Sequence, residues 1–120
     1  MKALLDTNIL IDYLNGIDHA QQEISRYQAP MISTISWMEV MAGANDDQRQ
    51  SIRSFLSRFE LVSIDVRVAE IAVKIHRESR MRLPDALIWA SAKCENALLV
   101  SRNTKDFPEE SPDVRVPYRL

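Results

Sequence analysis

Three acidic side chains interrupt otherwise apolar stretches of this sequence: Asp6 in LLDTNIL, Glu39 in TISWMEVM and Asp85 in LPDALIWA. Neighbours of that kind belong in a core, so each carboxylate is expected to be poorly hydrated. Carboxylates brought together under those conditions repel one another and drift toward their neutral forms. A divalent cation removes the conflict. Hard cations such as Mg²⁺ take oxygen ligands and keep several waters, and two or three carboxylates provide what such a site needs. Each acid also has a purely structural use. Asp6 suits the cap of the helix after it, Ser36-Trp37-Met38-Glu39 matches the S-x-x-E capping box, and Asp85 behind Pro84 suits the positive end of a helix dipole. Singly, capping is the stronger explanation of each; the shared apolar setting turns the balance toward a metal site.

Whether the acids meet depends on the elements that carry them. Lys2 to Asp6 reads as a short buried strand and TNILIDYL as the helix after it, with Gly16 as its stop. A second helix is expected over about Asp18 to Tyr27. Pro30 then breaks the pattern, and MISTIS reads as a strand rich in β-branched residues that leads into a helix through WMEVMAGA. From Asp46, DDQRQSIRSFLSRF places Ile52, Phe55, Leu56 and Phe59 on one helical face, with acidic residues opening the helix. ELVSID is a third strand, and VRVAEIAVKIHRES a helix with Val68, Ile71, Ala72 and Ile75 on one stripe. LPDALIWASAKCEN is the last helix, with Pro84 in its first turn, and ALLVS is a fourth strand whose unbroken apolar run suits a sheet covered on both faces. DVRVPYRL offers a short edge strand.

Strands alternating with helices, with no hairpin signal, predict an α/β fold built on a parallel sheet. Ligands bind such sheets outside the carboxyl ends of the strands. Asp6 ends the first strand and Glu39 is expected in the first turn after the second. Asp85, in the first turn of the helix before the fourth strand, can join them.

A chain of 120 residues can bury one ordinary core and not two, which predicts a single domain over residues 1–120. With 46% hydrophobic and 27% charged residues and two glycines, disorder, low complexity and fibrous repeats are excluded. The lone Cys94 cannot form an internal disulfide and no Cys/His cluster has zinc-site spacing, which points to a reducing, cytoplasmic setting. The first apolar run meets Asp6 too early for a signal-peptide core, and no run approaches membrane-spanning length, so no membrane is expected. A net charge of −2 gives no long-range pull on a polyanion. Nucleic-acid binding would need a local patch, for which Arg77, Arg80 and Arg82, then Arg102 and Lys105, are the candidates. His19 and His76 have no partner acid or nucleophile in view and read as surface residues. Cys94 reads as a buried small residue, and Trp37 and Trp89 as core rather than base-stacking residues.

LLDTNILIDYL, the glutamate of SWMEVMAGA, LPDALIWASA and LLVSRNTKDF run in order over nearly the whole chain, and together they resemble a PIN domain, in particular the VapC type of toxin ribonuclease. The resemblance implies a three-layer PIN-like fold, its central parallel sheet covered by helices on both faces. It makes Asp6, Glu39, Asp85 and Asn103 the four positions of an active site, with Asp6 and Asp85 as ligands of Mg²⁺ or Mn²⁺. Glu39 would act through water or orient it, and RNA would be hydrolysed by metal-activated water to a 3′-hydroxyl and a 5′-phosphate. One position departs from the pattern. The fourth is often Asp within T-R-D, whereas Ser101-Arg102-Asn103 brings a carbonyl oxygen and no charge, which weakens a second-metal site. Asp106 either compensates or caps a turn. Thr7, in the D-T-N string, is placed to hydrogen-bond the metal shell, and Asn8 is expected to cap the helix. The basic set would hold RNA phosphates. A VapB-like antitoxin over the active site and a homodimer are implied too, with Trp37, Met38, Met41 and Phe59 as the apolar surface needing cover.

Two other readings compete. A phosphoacceptor or phosphohydrolase domain would use a strand-end Asp as nucleophile, but the D-x-D arrangement expected of it is missing from the first strand. A catalytically weak PIN-like module for RNA or protein binding is kept open by Asn103. Against it stand three acids in apolar settings, an expensive arrangement without a cation.

Overall fold

A computed structural model describes all of residues 1–120. The elements run β1 (Ala3–Leu5), α1 (Thr7–Leu14), α2 (Asp18–Ser25), β2 (Met31–Ser33), α3 (Thr34–Ala42), α4 (Arg49–Leu56), β3 (Glu60–Val62), α5 (Val66–Ser79), α6 (Leu83–Cys94), β4 (Leu98–Val100) and β5 (Val114–Arg115). All five strands are parallel, in the order β3-β2-β1-β4-β5. The α/β architecture expected from the alternation is the one observed.

Side-chain alternation along the short strands divides the core in two. Leu4, Met31, Val62 and Leu99 point to one face, where they pack against Val68 and Ala72 of α5 and Ala86, Ile88 and Trp89 of α6. Ala3, Leu5, Ile32 and Val100 point to the other, against Ile9 and Leu10 of α1, Ile24 of α2, Val40 of α3 and Phe55 and Leu56 of α4. Helices therefore cover both faces, as the apolar runs of the strands require. No helix is long and apolar enough to cross a membrane.

The order of the sheet reverses between β1 and β4, the place where open α/β sheets leave a crevice at their carboxyl ends. The peptide N–H of Asp6 donates to Val100 O at 2.9 Å, so the ends of these two strands are held together at the crevice. The edge strand β5 is only two residues long and is latched by a side chain. The Arg115 guanidinium meets both oxygens of the buried Glu23 carboxylate of α2 at 2.7 and 3.0 Å.

Several elements end earlier than expected, α2 at Ser25, α4 at Leu56 short of Phe59 and β3 at Val62, and two starts and the burial of one residue also differ. MISTIS is strand only to Ser33, whose hydroxyl accepts from Ile35 N and caps α3 earlier than the β-branched composition suggests. α4 opens at Arg49, so Asp46 and Asp47 precede it instead of opening it. Phe59 is buried among Phe55 and its neighbours and cannot belong to an exposed apolar surface, while Met38 is exposed.

Candidate metal centre

Asp6 follows β1 at the crevice and is only 5% exposed. Its backbone is extended and its Oδ1 accepts from Thr7 N at 2.7 Å, so the capping role is real. The other oxygen, Oδ2, accepts from the Ser101 hydroxyl at 2.6 Å and from Asn8 Nδ2 at 3.2 Å. Asn8 therefore does not cap the helix; it bridges α1 to the end of β4, and its own oxygen accepts from Arg102 N at 3.3 Å. Burial pushes the Asp6 carboxyl up to about 6, against the lowering pull of Ser101 and Thr7 N, and the charges of Asp85 and Glu39 push it the same way.

Glu39 stands in the second turn of α3, not the first, because the helix starts at Thr34. The capping box is thereby ruled out: Ser36 lies buried inside the helix. Glu39 Oε1 instead sits 2.6 Å from the Thr7 hydroxyl, which is 2.8 Å from Ser36 Oγ. Thr7 has one proton and the carboxylate can only accept, so Ser36 donates to Thr7 and Thr7 to Glu39. The exposed Glu39 carboxylate is thus aimed by a two-hydroxyl relay.

Asp85 occupies the first turn of α6, half-buried, with the exposed Arg82 guanidinium 3.8 Å away as its one ion-pair partner. Burial, then the nearby charge of Asp106, push its carboxyl up; Arg82 pulls it down and Glu39 pushes it up again. Asn103 and Asp106 form a closed turn. Asn103 Nδ2 donates to Asp106 Oδ2 at 2.9 Å and Asp106 N donates to Asn103 Oδ1 at 3.2 Å. The Asn103 carbonyl oxygen, expected to face a cation, is therefore engaged within its own loop. Asn103 rather than Asp106 caps the turn; the Asp106 carboxylate holds the Asn103 amide and its charge bears on Asp85.

Asp6, Glu39, Asp85 and Asp106 thus share one electrostatic neighbourhood with little opposing charge. The donor set, four carboxylates with hydroxyls behind them, suits a hard cation in chemistry and in charge. As the side chains stand, no three acidic groups are close enough to hold one ion. A groove of about 370 Å³ runs past Glu39 between Ile11, Leu14, Val40 and Ile52. The largest concavity, about 1120 Å³, opens at the amino edge of the sheet around Lys2, Leu98 and Val114, away from the acids.

Of the basic set, Arg77, Arg80, Arg82 and Lys105 are exposed, the first three along the end of α5 and the turn into α6. Arg102 departs from the expectation that it holds phosphate: its guanidinium is committed to the buried Asp12. Trp89 is core, as expected, with Nε1 donating to Asp113 at 3.1 Å; Trp37 lies half-buried beneath Arg53. His76 Nδ1 rests on Met81 O and His19 stacks on Tyr118, which leaves neither near the acids' chemistry. The sequence gives no sign that Ser36 backs Thr7, that Ser101 holds Asp6 or that Asp12 holds Arg102. Asp12 could have been found as a lone acid between Leu10 and Tyr13 on an apolar helix.

None of the curated proteins is similar enough to count as a match. Among solved structures, a toxin–antitoxin complex from Klebsiella pneumoniae contains a chain 42% identical to this one, covering 98% of this chain and 99% of that one, with a TM-score of 0.93. VapBC2 from Rickettsia felis bound to a DNA fragment from its promoter is similar at 26% identity, over 95% of this chain and 96% of that one, with a TM-score of 0.78. FitAcB from Neisseria gonorrhoeae, 22% identical over 98% and 99% of the two chains, shares the fold with a TM-score of 0.82. The PIN domain family model matches residues 3–109, a span that begins at β1 and ends just beyond Asp106. From β1 through the Asn103–Asp106 turn, and so across all four acids, the chain belongs to the PIN domain family.

Proposed function

We propose that this chain is a metal-dependent endoribonuclease and the toxin of a toxin–antitoxin pair, acting in the cytoplasm as a single domain of residues 1–120. PIN domains are typically nucleases that use divalent ions. The observation that carries the reading is the convergence of Asp6 and Asp85, both pushed up by burial and by neighbouring acids, at the crevice between β1 and β4. Asp6 and Asp85 would hold Mg²⁺ or Mn²⁺, with Asp106 reaching in by side-chain rotation and Glu39 acting through water. When bound, the ion supplies activated water and stabilises charge on the scissile phosphodiester. Thr7, backed by Ser36, orients Glu39 toward that water. Ser101 and Asn8 fix Asp6. Arg77, Arg80, Arg82 and Lys105 hold RNA phosphates and position the strand without reading its sequence. Asn103 acts through Asp106, which supplies the charge that the asparagine lacks.

The partner reading rests on the similar structures, which are toxin–antitoxin complexes. A VapB-like antitoxin would cover the acids, and the protein would pair as a homodimer, which light scattering of the free toxin reads directly. The deciding experiment is cleavage of total RNA by the purified, antitoxin-free chain with Mg²⁺ or Mn²⁺, beside Asp6→Asn, Asp85→Asn and an EDTA control. Discrete products that vanish in all three controls are expected. Wild-type and variant chains that behave alike while the ion is bound overturn the nuclease reading. One observation favours the catalytically weak binding module instead, the Asn103 side chain closed on its own loop. Calorimetry that finds no Mg²⁺ or Mn²⁺ binding would decide for it.

A further inference from the structure

The residue between Ser101 and Asn103 is tied down by its side chain as well as its backbone. Arg102 Nε lies 2.6 Å from Asp12 Oδ2 and Nη2 lies 2.9 Å from Asp12 Oδ1, and the Tyr118 hydroxyl donates to the same Oδ2 at 2.8 Å. Asp12 is 5% exposed. Burial would push its carboxyl up, but the guanidinium and the phenol outweigh burial and hold it below the usual range. The Tyr118 ring also stacks on His19 with centroids 5.5 Å apart, which anchors the segment after β5 beside α1 and α2.

Arg102 has a second attachment, through its backbone N–H to Asn8 Oδ1. Asn8 and Asp12 are four residues apart on α1 and so share one face. The segment leaving β4 is therefore stitched at two points to the helix that Asp6 begins. Ser101, one residue before, holds Asp6; Asn103, one residue after, donates its N–H to Ser101 Oγ at 2.9 Å and closes the turn with Asp106.

We propose that Arg102, locked by Asp12 and Tyr118, is a positioning residue that sets the register of residues 101–106 against α1 and so presents Asp6 and Asp106 to an ion. A bidentate guanidinium fixes direction as well as charge, whereas an ammonium fixes charge alone. The functional consequence rests on the metal-site reading above; the register of the loop does not.

The test uses Arg102→Lys and Tyr118→Phe in the full chain. Arg102→Lys keeps a cation beside Asp12, which spares the fold a bare buried carboxylate, and circular dichroism checks that it does. In metal-free protein, amide hydrogen exchange at residues 102, 103 and 106 is expected to quicken by about tenfold or more in Arg102→Lys and less in Tyr118→Phe, while Leu5 and Leu99 keep their protection. Calorimetric Mn²⁺ affinity should fall about tenfold in Arg102→Lys, as for other groups that orient metal ligands. Unchanged exchange at 102, 103 and 106 overturns the positioning role. So does an equal loss at Leu5 and Leu99, which would make the pair a general stabiliser. A wild-type chain that binds no Mn²⁺ removes the metal-site reading, and the exchange comparison still decides the register of the loop.

Discussion

Replacing Asp6 with Asn should raise the stability of the metal-free protein at alkaline pH and lower it at acidic pH. In the folded chain the Asp6 carboxyl is pushed from 3.8 to about 6, first by burial. Its pKa is raised on folding, so its contribution to stability is fully present below about pH 4, is lost as pH rises through about 6, and changes little beyond that. The gap between 3.8 and about 6 corresponds to about 3 kcal/mol at pH 8. The neutral amide of Asp6→Asn removes that penalty at a cost. It can still accept from Thr7 N, but the Ser101 hydroxyl and Asn8 Nδ2 lose the oxygen they share, about 1 kcal/mol or more. Asp6→Asn is therefore expected to be about 1–2 kcal/mol more stable than wild type at pH 8 and about 1 kcal/mol less stable at pH 4.

Urea unfolding by circular dichroism, in EDTA at both pH values, reads the difference. Adding Mg²⁺ at pH 8 should then close or reverse it, because an ion at 100 times its dissociation constant stabilises the folded wild type by about 2.7 kcal/mol and leaves the variant untouched. A variant less stable than wild type at both pH values, or a difference that does not change with pH, would refute the argument that a bound cation is what offsets the burial of this carboxylate.

Thr7→Val keeps a β-branched residue of the same size and removes the hydroxyl that aims Glu39; turnover of a defined RNA should fall about tenfold with KM unchanged, and undiminished turnover would mean Glu39 needs no aiming. Arg77→Glu and Arg80→Glu should each weaken RNA binding and flatten the dependence of log affinity on log salt by about 0.7, measured by fluorescence anisotropy; an unchanged slope takes that residue off the RNA path. Burial pushes Glu23 up, but Arg115 and Tyr27 outweigh it and hold it low, so its stabilising effect is present above the usual carboxylate range and lost as pH falls. Glu23→Gln should accordingly cost about 2 kcal/mol at pH 7 in urea unfolding, and less at pH 3.

Local signals fixed some of these elements and long-range ones fixed the rest. α1 and α5 span the residues expected: Asp6 and Gly16 bound α1 in the sequence, and the apolar stripe of α5 marks its extent, although its end on the left-handed Arg80 is announced by no residue type. The start of α3 is hidden in the sequence because Ile32, Thr34 and Ile35 carry strand composition, and only the Ser33 hydroxyl on Ile35 N shows where the helix begins. That shift moved Ser36 from a cap to the interior and gave Glu39 a partner on another helix. The three acids were legible as charges in apolar surroundings. Of the buried acids that hold the frame, Asp12 shows only as a lone acid on an apolar helix and Glu23 not at all, and neither reveals its partner, since the arginines that satisfy them lie 90 and 92 residues further along the chain. No periodicity reports a pairing across that separation.

Capping and the proposed metal binding, rivals when Asp6 is read from sequence, are compatible in space. The cap fixes φ at −71° and ψ at 158° and commits Oδ1 to Thr7 N, so the carboxylate is immobilised before any ligand arrives. An ion binding there does not have to freeze a free side chain, an ordering cost of about 0.5–1.5 kcal/mol for a rotamer-rich group. Asp106 is exposed and must still move if it is to ligate, while Glu39, exposed too, is already aimed by Thr7. The proposed centre therefore divides into a rigid part built from Asp6 on the β1–α1 junction and a mobile part, the Asp106 side chain of the 103–106 turn. Ion binding should quieten the mobile part first. Protection gained on adding Mn²⁺ should concentrate at residues 103–106 and leave the α1 amides as they were. Gain confined to α1 would reverse the assignment of rigid and mobile halves.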